Sequence, residues 1–274
     1  MDIKAFKMDG LGNDFVIIDQ RSQNYNLTKD QIIKICDRNF IGCDQLIFIQ
    51  KSQEKDAGLE FYNSDGSISG ACGNGTRCVA DLLSKENSDK EIILWTTSGA
   101  LKSQILGNNS VETEIGIAKT NWNEIPLNKN LDTKNLNIKI VNKNNIEHIG
   151  GTCVNVGNPH VVFFVDNIED YDLKKIGPEI ENHNYFPEKC NVTLAKVISK
   201  KLIKVKVWER GAGLTKACGT AACATAVAAN INGLTDKKTD IEFALGNLSI
   251  TIDQNNSIHM KGPVSDITNI EINI

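Results

Sequence analysis

The chain has 274 residues, 41% of them hydrophobic and 23% charged, which suits one large domain or two of about 140 residues. Its formal net charge of -4 argues against a nucleic-acid binder, which carries a basic excess, and no apolar run approaches the ~20 residues of a membrane span. The first eight residues lack the basic-then-apolar order of a signal peptide, so a cytoplasmic location with neither membrane nor nucleic-acid partner is expected.

In chain order, residues 3–8 alternate apolar and polar side chains as a half-buried strand does. Thr28 is placed to cap a helix running to about Asn39, with Ile32, Ile35 and Cys36 on one face. Residues 111–117 read as another strand. The polar stretch 120–137, with Pro126 and many Asn and Lys, reads as a linker. That cut predicts one domain over 1–119 and a second over 120–262, with a last strand in 263–274 free to return to the first. A helix is expected over 172–182, bent or broken at Gly177-Pro178. Strands follow at 203–208 and 248–252, the latter behind a Gly246-Asn247 hairpin signal. Residues 221–231 are apolar on nearly every side, the pattern of a helix buried all round. Residues 78–83 are a weaker copy of it. Both patterns fit an α+β fold of two pseudo-symmetric domains, each a curled, mostly antiparallel sheet around a central helix.

The two helices follow a repeated element. Cys72-Gly73-Asn74-Gly75 and Cys218-Gly219-Thr220 lie 146 residues apart. Gly12-Asn13-Asp14-Phe15 matches Gly157-Asn158-Pro159-His160 at an offset of 145, and Gln45 against Asn191 and Asn63 against Glu209 fall at 146. Landmarks in constant order and offset indicate a tandem duplication. Of the other cysteines, Cys36, Cys43, Cys153 and Cys190 read as small core residues, and no close pair has the Cys-x2-Cys spacing of a zinc or iron–sulfur site. No metal is expected.

A thiol at a helix N-terminus lies near the positive end of the dipole and near free backbone N–H groups, which favour the thiolate and bind anions. Two such thiols, one per half, suit removal of a proton from one face of a carbon and its return to the other. Gly73, Gly75 and Gly219 would let a carboxylate approach the backbone. One thiol and one thiolate are needed together, so the pair is expected to titrate as a coupled unit. No lysine falls at a matched repeat position to mark a pyridoxal site, so no cofactor is expected.

Gly10-Leu-Gly-Asn-Asp-Phe15, Cys72-Gly-Asn-Gly-x-Arg-Cys78, Gly157-Asn-Pro-His160 and Glu209-Arg-Gly-Ala-Gly-x-Thr-x-Ala-Cys-Gly-Thr220 together resemble the diaminopimelate epimerase family, in order from about residue 4 to 262. The resemblance implies cofactor-independent epimerisation of L,L- to meso-2,6-diaminopimelate, a diamino diacid on the route to lysine and peptidoglycan precursors. It implies that Cys218 takes the α-proton and Cys72 donates one, with His160 and Glu209 tuning the thiols. It implies substrate contacts from Asn13, Gln45, Asn63, Asn158, Asn191 and Glu209-Arg210, and from the backbones of Gly73-Asn74 and Gly219-Thr220. Arg210 is suited to the distal carboxylate through its planar fork. A homodimer is implied too, although the tail 262–274 lacks the aromatic residue common in the family's last strand. Ala221 also stands where a glycine often follows.

Each motif has a plainer reading. An Asn after Gly is commonly a turn residue, and Glu209-Arg210 could be a solvated pair. Competing functions are a racemase of another amino acid on the same fold, a redox or metal-binding thiol protein, and a non-catalytic amino-acid binder. Proline-racemase relatives usually carry His after the first Cys-Gly, where this chain has Asn74.

Overall fold

The computed structural model describes residues 2–70 and 72–274. Internal contacts divide the chain into two units, Met1–Glu114 with Lys261–Ile274, and Ile115–Met260. The first unit takes, in order, β1 (Asp2–Asp9), β2 (Asp14–Asp19), α1 (Lys29–Cys36), β3 (Gln45–Gln50), β4 (Ala57–Asn63), β5 (Ile68–Ser69), α2 (Gly73–Asn87), β6 (Glu91–Thr96), β7 (Gly99–Gly107) and β8 (Ser110–Ile117), in which the division falls.

The interiors of β2 and β3 read Phe-Val-Ile-Ile and Leu-Ile-Phe-Ile, unbroken apolar runs without alternation. They pair in parallel, Phe15 opposite Gln45, and are covered on both faces, as a buried parallel pair requires. Phe15, Ile17, Ile47 and Ile49 cluster with Val79, Leu82 and Leu83 of α2. Val16, Ile18, Leu46 and Phe48 cluster with Ile32, Ile35, Cys36 and Cys43 on the α1 side. Burying one such side chain fully contributes roughly 1.5–3 kcal/mol.

Helix α1 begins at a capping box: Thr28 Oγ1 accepts from Gln31 N, and Gln31 Oε1 accepts from Thr28 N. It stops at Cys36, short of the expected Asn39. Asp37 is extended there, and its carboxylate accepts the Asn39 N–H at 2.8 Å, a local bond that competes with the next helical turn.

The second unit adds a separate two-stranded hairpin, β9 (Ile138–Val141) and β10 (Glu147–Gly150), then β11 (Thr152–Asn155), β12 (Pro159–Phe164), a short 3-10 turn, α3 (Leu173–Glu181), β13 (Asn191–Ser199), β14 (Leu202–Glu209), β15 (Gly213–Thr215), α4 (Gly219–Ile231), β16 (Lys238–Phe243) and β17 (Gly246–Ile252). The chain then runs through β18 (Ser257–Pro263) into β19 (Thr268–Asn273), which pairs antiparallel with β1 in the first unit, Ile3 opposite Ile272.

The two units repeat one pairing scheme. β2–β3 and β12–β13 are parallel, and so are β4–β6 and β14–β16. Phe61 faces Ser69 as Val207 faces Thr215, both partners 146 residues on. The central helices follow suit: α2 packs on β1, β2, β6 and β7, and α4 on β11, β12, β13, β16 and β17. Every residue from Ala221 to Ala229 is buried, as the all-round apolar pattern requires.

Three expectations change. The stretch 120–137 is no free linker, because Ile125, Leu127 and Leu136 are buried in the core beside Val161, Phe163 and Ile176. Their apolar side chains are too widely spaced for a periodic signal, yet each finds the same cluster. Pro178 does not break α3, which runs unbroken to Glu181. Pro178 lacks only the N–H that would bond the Lys174 carbonyl, and Ile176 and Ile180 anchor the turn on either side. Gly177 is there for contact: a Cβ would lie 2.4 Å from Trp208 Cγ. The β16–β17 hairpin turns at Ala244-Leu245, since Phe243 pairs with Gly246, and Gly246-Asn247 already belong to the strand.

Candidate active site

In the first unit Cys72 is the N-cap of α2, with φ -142° and ψ 109°. N-cap positions favour Ser, Thr, Asp or Asn, whose oxygen bonds a first-turn N–H. Cys72 makes no such bond. The helix start is held instead by the Thr76 N–H and Oγ1, both donating to Cys72 O at 2.8 Å. The half-buried sulfur faces Asn13, with Sγ donating to Oδ1 at 3.8 Å. Asn74, 2% exposed, donates through Nδ2 to the same oxygen at 3.3 Å, and its own Oδ1 is buried with no partner among the described residues. Gln45 and Asn63 lie opposite each other across β3–β4, and Gln45 Nε2 donates to Asn63 Oδ1 at 2.8 Å. Gln45 Oε1 is buried without a partner among the described residues.

Gly75 does not open the backbone to a ligand as expected. A Cβ there would lie 2.7 Å from Ile47 Cδ1 and 3.0 Å from Phe61, so the core fills that space.

In the second unit Cys218 is the N-cap of α4 with nearly the same backbone, φ -142° and ψ 116°, and again no cap bond from its side chain. It is buried, and its sulfur lies 3.4 Å from Thr220 Oγ1. The expectation that the helix end favours a thiolate here is reversed. Burial pushes the thiol well up, and the Glu209 carboxylate adds to it; the Thr220 hydroxyl and Ala221 N–H pull the other way and lose. Glu209 is itself held by Thr215, whose Oγ1 donates to Oε1 at 2.5 Å.

His160 is fully buried, opposite Asn191 in the β12–β13 ladder. Burial, with the nearby Arg210 charge, lowers its pKa to about 3. The ring is therefore neutral at pH 7. With Nε2 2.8 Å from Asn158 Oδ1, which can only accept, the proton sits on Nε2, and Nδ1 remains an acceptor that is buried without a partner among the described residues. Asn191 uses both ends of its amide inside the unit: Nδ2 donates to Pro159 O and Oδ1 accepts from Arg210 N, each at 2.9 Å. Arg210 is exposed and rests Nη1 on Glu188 O at 2.8 Å.

Within the first unit Asn13, Cys72 and Asn74 thus form one cluster, with Gln45 and Asn63 as a second pair. Within the second unit Cys218, Thr220 and Glu209 form one cluster, and Asn158, His160, Asn191 and Arg210 another. Gly73 and Gly219 supply the first helical N–H groups, which have no acceptor inside their helices. Sequence reasoning missed Thr215, Asp44 and Arg38. The repeat offset pointed to Thr215, opposite Ser69 of the first half; Asp44 and Arg38 gave no pattern. All eight cysteines are free thiols, and among the described residues no three His, Cys, Asp or Glu side chains are grouped to hold a metal.

A duplicated α+β fold whose halves each place a cysteine at the mouth of a buried helix defines a class with solved members. The structure resembles a phenazine biosynthesis protein of the PhzF family from Bacillus anthracis, with TM-score 0.69, 15% identity and all of both chains covered. It also resembles a hydroxyproline epimerase from Agrobacterium vitis, with TM-score 0.64 and 12% identity over 98% of this chain and 91% of that one. The diaminopimelate epimerase family model matches twice, at residues 5–120 and 152–267, once for each half. The chain is 77% identical over its full 274 residues, and the relative's full length, to a diaminopimelate epimerase of Pelagibacter ubique (strain HTCC1062). It is 43% identical over 260 residues, 94% of each chain, to one of Phenylobacterium zucineum (strain HLK1). The chain belongs to the diaminopimelate epimerase family.

Proposed function

We propose that the chain interconverts L,L- and meso-2,6-diaminopimelate by two-base proton transfer without a cofactor, serving lysine and peptidoglycan precursor synthesis. Membership of the family carries this reading, and the two N-cap cysteines with matching backbone angles give it a chemistry.

An α-hydrogen beside a carboxylate is a very weak acid, so charge building on that carboxylate must be offset. The first N–H groups of α2 (Gly73-Asn74) and α4 (Gly219-Thr220) are donors suited to that task. In the L,L direction Cys218 is the base. Its proton passes first to Glu209, which hydrogen-bonds the sulfur. Cys72, a thiol against Asn13 Oδ1, returns a proton to the carbon's other face. The reverse reaction exchanges the roles. Neutral His160 orients Asn158 and offers Nδ1 as an acceptor. Asn13, Gln45, Asn63, Asn158 and Arg210 select the distal amino-acid centre, Arg210 taking its carboxylate, while Asn191, with both amide ends engaged, holds the Arg210 turn in place. The same reading makes the protein a cytoplasmic homodimer; no helix among the described residues is long and apolar enough to cross a membrane.

Incubation with L,L-diaminopimelate in deuterated water tests the reading. Deuterium should enter the α-carbon as meso product forms, and Cys72→Ala or Cys218→Ala should abolish turnover. Absence of exchange by the reduced wild type sinks the assignment, and near-normal turnover in either variant sinks the two-base mechanism.

A further inference from the structure

We propose that Asp44 is a positioning residue that sets the orientation of the Asn13 amide and thereby holds Cys72 as a thiol. The inference rests on the reading of Cys72 as the proton donor for the L,L substrate.

Asp44 stands just before β3, outside the set of expected contacts. Although its side chain is 42% exposed, three bonds fix its carboxylate. Oδ2 accepts Asn13 Nδ2 at 2.9 Å and Asp14 N at 3.2 Å, and Oδ1 accepts Arg38 Nη2 at 2.6 Å. Arg38 also grips Asp14 with both nitrogens, at 2.6 and 2.8 Å. The Asp44 N–H returns to Asp14 O at 2.9 Å, so the two acidic residues are tied through main chain as well.

A carboxylate accepts and does not donate, so Asn13 must turn its NH2 toward Asp44. Its oxygen then has one direction left, toward Cys72 Sγ and Asn74 Nδ2. An acceptor facing a thiol favours S–H over thiolate; a donor in that place does the reverse. The orientation of one amide therefore decides which form of Cys72 is stabilised, and Asp44 decides the orientation. Asp44→Asn inverts this logic. Arg38 donates only and its charge-assisted bond, 2.6 Å long, outweighs the 3.2 Å bond from Asp14 N, so Arg38 keeps the new amide's oxygen and the new NH2 turns toward Asn13. Asn13 then flips and presents its own NH2 to the sulfur, and Asn74 turns its unused Oδ1 to accept from it in place of Nδ2.

Iodoacetamide labelling of Cys72 against pH, read by peptide mass spectrometry on the full chain, tests this without substrate. In Asp44→Asn the Cys72 midpoint should fall by about one pH unit, roughly tenfold more thiolate at fixed pH, while the Cys218 midpoint stays in place. Asp44→Glu keeps an acceptor-only group and should restore the wild-type profile. In an Asn13→Ala background Asp44→Asn should move the midpoint little, because only a screened surface charge is lost. An unchanged Cys72 profile in folded Asp44→Asn overturns the proposal. So does an equal shift in the Asn13→Ala background, or a common shift of Cys72 and Cys218. Should Asp44→Asn not fold, Asp44→Gln, the amide counterpart of Asp44→Glu, is read by the same criteria. Loss of deuterium exchange by the wild type would remove the proposed function and leave this labelling result standing.

Discussion

The backbone N–H of Arg210 donates to Asn191 Oδ1 at 2.9 Å, in a site where Asn191 is 2% exposed. The other end of the amide holds Pro159 O, so one side chain joins the strand that carries His160 to the turn that carries Arg210. Asn191→Ala removes the side-chain partners of the part-buried Arg210 N–H and the buried Pro159 carbonyl. Unfolding free energy should fall by about 1–3 kcal/mol. Chemical denaturation measures it, and a loss under about 0.5 kcal/mol would mean that water replaces the amide at no cost.

Glu209 raises the Cys218 thiol, and its removal should act in opposite senses on reactivity and turnover. In Glu209→Gln the thiol pKa falls, so iodoacetamide labels Cys218 several-fold faster at fixed pH. Epimerisation should slow by about tenfold or more, because the proton from Cys218 has lost its acceptor. Slower labelling together with slower turnover would refute the pairing.

His160 gives the stability a dependence on acid. Its folded pKa, about 3, lies below the ordinary 6.5, so between those values the unfolded chain binds a proton that the folded one does not. Stability from this residue is full above pH 6.5 and is lost as pH falls toward 3, at about 1.4 kcal/mol per pH unit within the window. His160→Phe, which copies Phe15 at the matching repeat position, should flatten that part of the curve. Denaturation midpoints from pH 7 to 4 decide it; equal slopes in both proteins would place the acid sensitivity elsewhere.

The duplication, the two cysteine elements and the buried α4 could all be read from residue order. Each is a local pattern: a fixed offset, a Cys-Gly before an apolar run, a helix without a polar face. The failures were of another kind. Ile125, Leu127 and Leu136 sit in a polar stretch and are recognised as core only through neighbours tens of residues away. Gly75 and Gly177 looked like ligand access and a helix break, and both proved to be contact points with distant side chains.

By itself, the sequence determined the family and its duplication, because motifs at constant spacing survive in one dimension. Tertiary structure alone decided the states of the site residues. It buried Cys218 beside Glu209 and so raised a thiol that the helix end would have lowered, and it sealed His160 in neutral form. It also turned the Asn13 amide by bringing Asp44, held by Arg38, to it from beyond β2 and α1. Protonation and amide orientation depend on desolvation and on partners remote in the chain, and neither quantity is encoded at the residue that carries it.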